Sequence, residues 1–547
     1  AGLAQLAQQL GHSVTGSEKD AIYPPMSTQI ERLKIPVNFG YQTNSLPENT
    51  DLVIVGNSLS RGQPIIEKML DDKVNFISGP DWLRKEVLKD RKKIVVSGTH
   101  GKTTVSSLIA WILQKGGLQP GFLIGGIPGN FPLSSELGKG DLFVVEGDEY
   151  DTAFFDKRSK FVHYYPDVLI INNLEYDHAD LFSNLGQITD QFHHMIRTMS
   201  SAAHIIRPYS SKSIDRLIKK GCWSSVKTFG PKSSADLQYT YRNSPERPTT
   251  FSFRNKIFEG VQIGIGEHNA NNLAAAILAC ECVGLPLDAS LEGAKTFRNA
   301  RRRMELKGEI SGVSIYDDFA HHPTAIRLSL NALKKIVGKK NRLIAVIEPR
   351  SNTMRMGLHK SKLNSATKAA DMVGIYSDNE LQWNVEECFD EKKFIGRWDS
   401  APKMAKCVVE NCRAGDCILV MSNGSAGGLH DLLLKELKRK KTMTEETQKE
   451  QREEFLDLLK PGERRKGVIS SVVNFGAFVD LGGMDGLIHV SELSWQHVDH
   501  PSSVVTIGDE VDVEVLEVDL DRERISLSLK ATQQDPWQKF ADGHRVG

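Results

Sequence analysis

Along the chain, short apolar runs alternate with stretches in which apolar residues return every three or four positions. In residues 1–90 the runs DLVIVGN (51–57) and VNFIS (74–78) predict strands. The opening AGLAQLAQQL predicts an amphipathic helix, Ala1–Leu10, followed by a strand near Ser13–Gly16. Residues 91–300 repeat the alternation with KIVVSG, DLFVVEG (141–147), DVLIINN (167–173) and HIIRP (204–208). Each run ends in small or polar residues, as parallel strands do when their C-terminal ends form a site. Residues 236–266 alternate like a small antiparallel insert, and helices follow at 269–283 and 288–298. A third block, 306–440, places VSIYDD (313–318), RLIAVIEP (342–349), DMVGIYS (371–377) and DCILVMSN (416–423) between helical stretches.

The pattern then changes. Residues 435–463 are nearly all charged or polar, which predicts a linker or an exposed helix. Beyond them GVISSVVNFGAFVDL, DGLIHVSEL, DEVDVEVLEVDL and RISLSLK are short alternating strands with glycine turns, the pattern of a small barrel. The expected organisation is therefore an α/β block at 1–90, a second at 91–305, a third at 306–440, a charged linker at 441–461, a barrel at 462–535 and a tail at 536–547.

Composition excludes little but excludes it firmly. Lys plus Arg and Asp plus Glu are 69 each, so whole-chain charge argues neither for nor against a nucleic-acid partner. Seven scattered cysteines, without zinc spacing, suit reduced thiols in a cytoplasmic protein. No run approaches 18 uninterrupted apolar residues, so no membrane partner is expected, and the N-terminus lacks the pattern of a signal peptide.

The chemistry is concentrated at strand ends. VVSGTHGKTTVSSLIAW (95–111) reads as strand, tight glycine turn and helix N-terminus, a geometry that aims backbone N–H groups at an anion. Lys102 adds a point charge for phosphate and the Thr103 hydroxyl suits magnesium. A merely structural turn has no use for Lys followed by two hydroxyls. VVEGDEYD (144–151) offers four carboxylates in the manner of hard-cation ligands, and NNLEYDHADLF (172–182) adds Glu175, Asp177 and His178. GEHNANN (266–272) opens a helix with amides that suit either an adenine edge or ordinary capping. ARRRMELKG (300–308) puts three arginines at a block junction, where a planar guanidinium clamps phosphate. YDDFAHHPTA (316–325) invites a metal reading, which is set aside because adjacent histidines before a proline do not easily face one ion.

Taken in order and spacing, G-T-H-G-K-T-T, E-G-D-E-Y-D, N-N-L-E-Y-D-H, G-E-H-N, R-R-R-M-E and Y-D-D-F-A-H-H-P-T resemble the Mur ligase family over about residues 1–440. That resemblance implies a three-domain α/β ligase: a Rossmann-like UDP domain, a P-loop-type central ATPase domain and a Rossmann-like C-terminal domain. It implies ATP and Mg2+, with amino acids or peptides joined to UDP-N-acetylmuramate through an acyl phosphate. Residue by residue, Gly98, Thr99, His100, Gly101, Lys102, Thr103 and Thr104 would hold the phosphates. Thr103, Glu146 and His178 would hold magnesium, and Asn130 would lie near the reacting phosphate. Asn269 and Asn272 match adenine contacts, Arg303 a phosphate contact and Asp318 a ribose contact. Arg350 and Ser351 would face the incoming peptide. The strings PGFLIGGIPGNF (120–131), FFDKRSKFVHY (154–164), FHH (192–194) and EPRSNTMRMG (348–357) narrow the resemblance to the peptide-recycling branch, whose acceptor is a diaminopimelate-containing tripeptide. The alanine-adding branch is the alternative.

Two departures set further expectations. The chain opens without the strand and glycine-rich turn with which such ligases begin, so UDP-substrate binding is expected to suffer. The 463–535 segment is foreign to the family and resembles the RNA-binding barrel repeated in a large ribosomal protein, through N-F-G-A-F-V-D-L, G-L-I-H-V-S-E-L and R-I-S-L-S-L-K. By that resemblance Phe475, Phe478 and His489 would stack on single-stranded RNA bases, with Arg524 nearby. The competing expectation packs both phenylalanines inside the barrel. The trailing DPWQKFADGHRVG looks like a connection to another repeat, so a stitched reading frame is expected, with the barrel a passenger or, alternatively, the working part beside an inert ligase.

Overall fold

The computed structural model describes every residue except 23–25, 245–246, 254–255, 260–265, 379, 521 and 535–547; the expected tail and part of the 236–266 insert lie outside it. Two compact units emerge, Ala1–Lys435 and Glu436–Gly547.

The first unit is organised by two sheets. The larger has ten strands in the spatial order Lys256–Glu259, Arg247–Phe253, Leu237–Ser244, Ser225–Gly230, His204–Pro208, Val168–Ile171, Lys92–Ser97, Leu142–Glu146, Gly121–Leu123 and Ser135–Glu136. Its centre is parallel and wholly buried, which is why those strands read as continuous apolar runs. Helices Lys102–Lys115 and Glu267–Cys282 cover one face. Helices Leu185–Ile196 and Lys212–Lys219, with Trp82, Leu83, Val87 and Leu88, cover the other. The antiparallel insert extends this sheet at its edge rather than standing apart, through the strand Ser225–Gly230, whose half-exposed side chains gave no clear signal.

The smaller sheet runs Glu305–Ile310, Val313–Asp318, Cys417–Met421, Leu343–Ile347, Met372–Tyr376, Phe394–Trp398. Only its first strand is antiparallel to its neighbour. In residues 1–90 the strands form two separate parallel pairs, Gly16–Glu18 with Val37–Phe39 and Val53–Val55 with Phe76–Ser78. The first strand begins at Gly16, later than expected, because His12 N–H still bonds back to Ala7 O at 3.0 Å as the chain leaves the helix Gly2–Gln9.

The second unit is a closed five-stranded barrel in the order Arg464–Val473, Gly476–Asp480, Asp485–His489, Arg524–Ser528, Glu510–Asp519. Ile469, Ala477, Val479, Ile488, Val513, Val515, Ile525 and Leu527 fill it. The charged stretch belongs to one helix, Leu429–Leu458, exposed throughout residues 441–454. Its last turn is different: Leu456 and Leu459 are buried in the barrel core, so the end of the expected linker is part of the barrel.

Candidate active site

The phosphate-type loop joins the central strand Lys92–Ser97 to the helix Lys102–Lys115. Gly98 and Gly101 have φ of +126° and +80°, and side chains there would collide with Asn173 and Asn172. Those two amides fix the loop. Asn173 accepts from His100 N–H at 2.8 Å and donates to His100 O at 2.9 Å. Asn172 Nδ2 donates to His100 O at 3.1 Å and to Asn272 Oδ1 at 3.0 Å, and Asn272 Nδ2 donates to Asn269 Oδ1 at 3.0 Å. A buried chain of amides therefore runs from Asn269 and Asn272 to the loop. The sequence named the two ends of it but not Asn172 and Asn173, although both stand at a parallel strand's C-terminal end.

Lys102 is not a free charge. Its Nζ donates to Gly98 O at 2.9 Å and to Glu149 Oε2 at 2.8 Å, and Glu149 is buried. Burial alone would pull this ammonium down, but Glu149 and Asp148 more than offset it and push it up, so it stays charged. Thr103 Oγ1 donates to Glu146 Oε1 at 2.9 Å and accepts from Arg303 Nη2 at 3.1 Å. Glu146 also accepts from Gly125 N–H at 2.8 Å. Burial, reinforced by Asp148, pushes the Glu146 carboxyl above its ordinary range. His178 has φ +54°, lies with Nε2 4.0 Å from Glu149 Oε2, and packs its ring 4.3 Å from Tyr150.

Thr103 Oγ1 and Glu146 Oε1, held 2.9 Å apart by their hydrogen bond, are oxygen donors of the kind a hard cation takes.

The third block closes over the loop. Arg303 stacks 4.9 Å over Phe319 and lies between two left-handed residues, Arg302 and Met304. Asp318 accepts from Met304 N–H and Ala320 N–H, both at 2.8 Å, and from Ser329 Oγ at 3.2 Å; burial raises its carboxyl. Thr104 Oγ1 donates to Asn299 Oδ1 at 3.1 Å. Thr99 Oγ1 accepts from Glu175 N–H at 2.9 Å.

Asn130 stands differently: Nδ2 donates to Thr296 O at 3.0 Å and Oδ1 accepts from Arg298 N–H at 2.6 Å, which fastens its loop to residues 296–298. Ser351 caps the helix Asn352–Arg355, and Arg350 is partly exposed with Nη1 3.6 Å from buried Glu348. The neighbours that do reach the His178 loop went unnamed in the sequence: Thr353 Oγ1 accepts from Ala179 N–H at 3.0 Å, and Asn352 Nδ2 donates to Asp180 at 2.9 Å.

On the barrel, register pairs Phe478 with Leu487 and Gly476 with His489, while Leu487 pairs with Ser526. Residues two apart share a face, so Phe478, His489 and Arg524 lie together on the outer surface, opposite buried Ala477, Ile488 and Ile525. Phe475 sits in the turn before that strand, 52% exposed. Neither phenylalanine fills the interior. Trp495, also exposed, adds an aromatic surface beside Lys530 that the sequence did not single out.

A nucleotide-type loop, two facing carboxylates and an arginine at the junction with the third block define an ATP-dependent ligase of the Mur type, and the comparisons agree. Residues 96–280 match the Mur ligase middle domain, 302–424 the Mur ligase glutamate ligase domain, and 458–530 the S1 RNA binding domain. The chain belongs to the Mur ligase family and carries an S1 domain at its C-terminal side. It is 45% identical over 447 residues to the UDP-N-acetylmuramate–L-alanyl-γ-D-glutamyl-meso-2,6-diaminoheptandioate ligase of Escherichia coli, covering 80% of this chain and 96% of that one. The solved murein peptide ligase of Psychrobacter arcticus is 39% identical with a TM-score of 0.62, covering 80% of this chain and 95% of its own. The barrel end is 71% identical over 103 residues to small ribosomal subunit protein bS1 of Mycolicibacterium smegmatis, 19% of this chain and 22% of that one. Among the described residues no helix is long and apolar enough to cross a membrane.

Proposed function

We propose that this chain joins the carboxylate of UDP-N-acetylmuramate to the amine of L-alanyl-γ-D-glutamyl-meso-diaminopimelate, as a cytoplasmic step of cell-wall peptide recycling. The observation that carries the chemistry is Lys102 and Thr103 at the head of a glycine-linked helix, facing buried Glu149 and Glu146. The relatives' shared activity supports the choice of substrates.

A carboxylate is a poor electrophile because its own charge repels nucleophiles. ATP, when bound, supplies the phosphoryl group that makes the lactyl carboxylate an acyl phosphate, and magnesium on Thr103, Glu146 and His178 supplies charge neutralisation there. The peptide amine adds to the activated carbonyl carbon, loses a proton, and phosphate leaves as the C–O bond breaks, giving the amide. In this sequence of events Lys102 exchanges Glu149 for a phosphate oxygen. The loop N–H groups, held open by Asn172 and Asn173, hold the phosphates. Asn269 and Asn272 contact adenine, Asp318 contacts ribose, and Arg303 carries positive charge to the phosphate from the hinge before the third domain. Asn130 keeps its loop beside the site, and the segment with Arg350 and Ser351 receives the peptide. Closure of the third domain keeps water from the acyl phosphate.

The test is ADP release that requires both UDP-N-acetylmuramate and the tripeptide. Free L-alanine as the preferred acceptor in competition would move the assignment to the alanine-adding branch. A second reading rests on the barrel: Phe475, Phe478, His489 and Arg524 bind single-stranded RNA by stacking and charge. RNA binding without any substrate-dependent ADP release would make the barrel the working part.

A further inference from the structure

The histidine pair of YDDFAHHPTA divides between two acids. His321 Nε2 lies 3.9 Å from Asp177, while His322 Nδ1 lies 3.7 Å from Glu175 Oε2. His322 thereby meets a third group that the motif did not contain. His100, in the phosphate loop, places Nε2 3.8 Å from the same Glu175 oxygen, and its ring centroid is 4.6 Å from that of His322. One ligand atom from each of His100, Glu175 and His322 lies within 4.8 Å of the others. His100 Nε2 is buried and has no hydrogen-bond partner.

We propose that His100, Glu175 and His322 form a transition-metal site, separate from the magnesium residues, whose occupation by zinc ties the phosphate loop to the third domain and halts turnover. Two imidazole nitrogens and one carboxylate oxygen favour zinc, nickel or cobalt over magnesium, whose ligands are mostly oxygen and which tolerates at most one imidazole, and that poorly. Three protein ligands leave a fourth position open. Tetrahedral bonds of about 2.0–2.1 Å put ligand atoms about 3.3 Å apart, so the 3.7 and 3.8 Å separations from Glu175 close by about half an ångström on binding, and the two imidazole nitrogens, now within 4.8 Å, close by up to about 1.5 Å.

The surroundings suit that contraction. Thr324 Oγ1 donates to Glu175 Oε2 at 2.7 Å and orients it, while Asn173 holds the His100 backbone. The 3.3 Å bond from Thr324 N–H to His322 Nδ1 is the contact given up. His359, whose buried Nε2 also has no hydrogen-bond partner, packs its ring 4.6 Å from that of His322.

The three ligands come from the phosphate loop, the loop after strand Val168–Ile171 and the start of helix Pro323–Val337, so they meet only when the two domains are together. Inhibition rests on the ligase reading, because a domain that cannot reopen cannot release product. Metal binding does not rest on it.

The test uses the metal-stripped full chain without nucleotide. Zinc is titrated against a chromophoric chelator, with parent, His322→Gln, Glu175→Gln and Glu146→Gln compared. One tight site is expected in the parent and in Glu146→Gln, weakened at least about 100-fold in the other two. Equal affinity in parent, His322→Gln and Glu175→Gln overturns the proposal. If those variants fail to fold, the parent's cobalt complex decides: imidazole nitrogen in its X-ray absorption supports the site, and oxygen ligands alone overturn it. In the ligase assay at fixed ATP and magnesium, zinc should inhibit the parent at least about tenfold more strongly than His322→Gln, and equal inhibition removes the clamp.

Discussion

The Lys102–Glu149 pair makes a sharper claim than a phosphate-facing lysine would. If Lys102 served only the nucleotide, replacing it would abolish turnover and leave the fold untouched. The structure instead pairs it at 2.8 Å with a carboxylate whose side chain is 4% exposed, its own being 13% exposed. Lys102→Met then strands a buried negative charge beside Glu146 and Asp148. Removing one member of a buried pair costs about 3–5 kcal/mol. For a block of some 200 residues that corresponds to a fall in melting temperature of roughly 6–20 °C. Glu149→Gln should cost less, because Asp148 and Glu146 still face the ammonium. Lys102→Met/Glu149→Gln should recover part of the lost stability, since the carboxylate paired with the lysine is then neutral, yet no activity, because the phosphate has lost its cation. Loss of a preorganised charge at a phosphoryl site costs at least about 10²–10³ in kcat. Thermal melts of the four proteins with substrate-dependent ADP release give the full cycle. A Lys102→Met protein that melts with the parent would refute the pairing, and a double variant that turns over would refute the phosphate role.

Asn172→Ala removes the amide linking Asn272 to the loop carbonyl of His100 and should raise KM for ATP at least about tenfold, at about 0.5–1.5 kcal/mol for each of its two hydrogen bonds, with kcat less affected; an unchanged KM would dissolve the link. Leu456→Ala should destabilise the barrel by about 2–5 kcal/mol, and a fragment from residue 452 should outlast one from 462 in urea; equal midpoints would return the helix end to a linker. Burial pushes the Asp317 carboxyl up, but His430 and Arg302, each at 3.2 Å, outweigh it and hold the group below its ordinary range. Its stabilisation is full above the unfolded value near 3.9 and is lost as pH falls through the folded one. Asp317→Asn should therefore melt below the parent at pH 7 and converge with it near pH 2, and a gap independent of pH would count against the pairing. A chain ending at Lys441 should match the full chain in ATP turnover, and RNA should not change the rate; an RNA effect that vanishes on deleting 463–547 would overturn the passenger reading.

Most of the sheet was legible because buried parallel strands must be apolar on both faces, and VVEG, LIIN and LVMS announce themselves. The strand Ser225–Gly230 was not, since an edge-side strand with exposed alternate residues resembles a loop. The loop 98–104 was legible because glycines with positive φ leave few other readings. The amides beneath it were not: Asn172 and Asn173 look like any polar strand end until their partner 72 or 73 residues away is known. Thr353 and Asn352 escaped for the same reason, their partners lying more than 170 residues off.

That difference bears on how site residues are read. A motif assigns each side chain to the ligand, as if the protein held its charges apart until the ligand came. Here they are already engaged with one another: Lys102 with Glu149, Thr103 with Glu146 and Arg303, Asp318 with two backbone amides. Such pairs keep buried charges satisfied before substrate arrives and hold the acceptors near their working positions, so binding replaces one partner by another of like charge. On the proposed ligase reading, Glu149 would be released as Lys102 turns to phosphate, beside His178 at 4.0 Å. On that reading, a carboxylate freed at that moment, next to His178, would need a new cation, and a divalent ion would supply that charge.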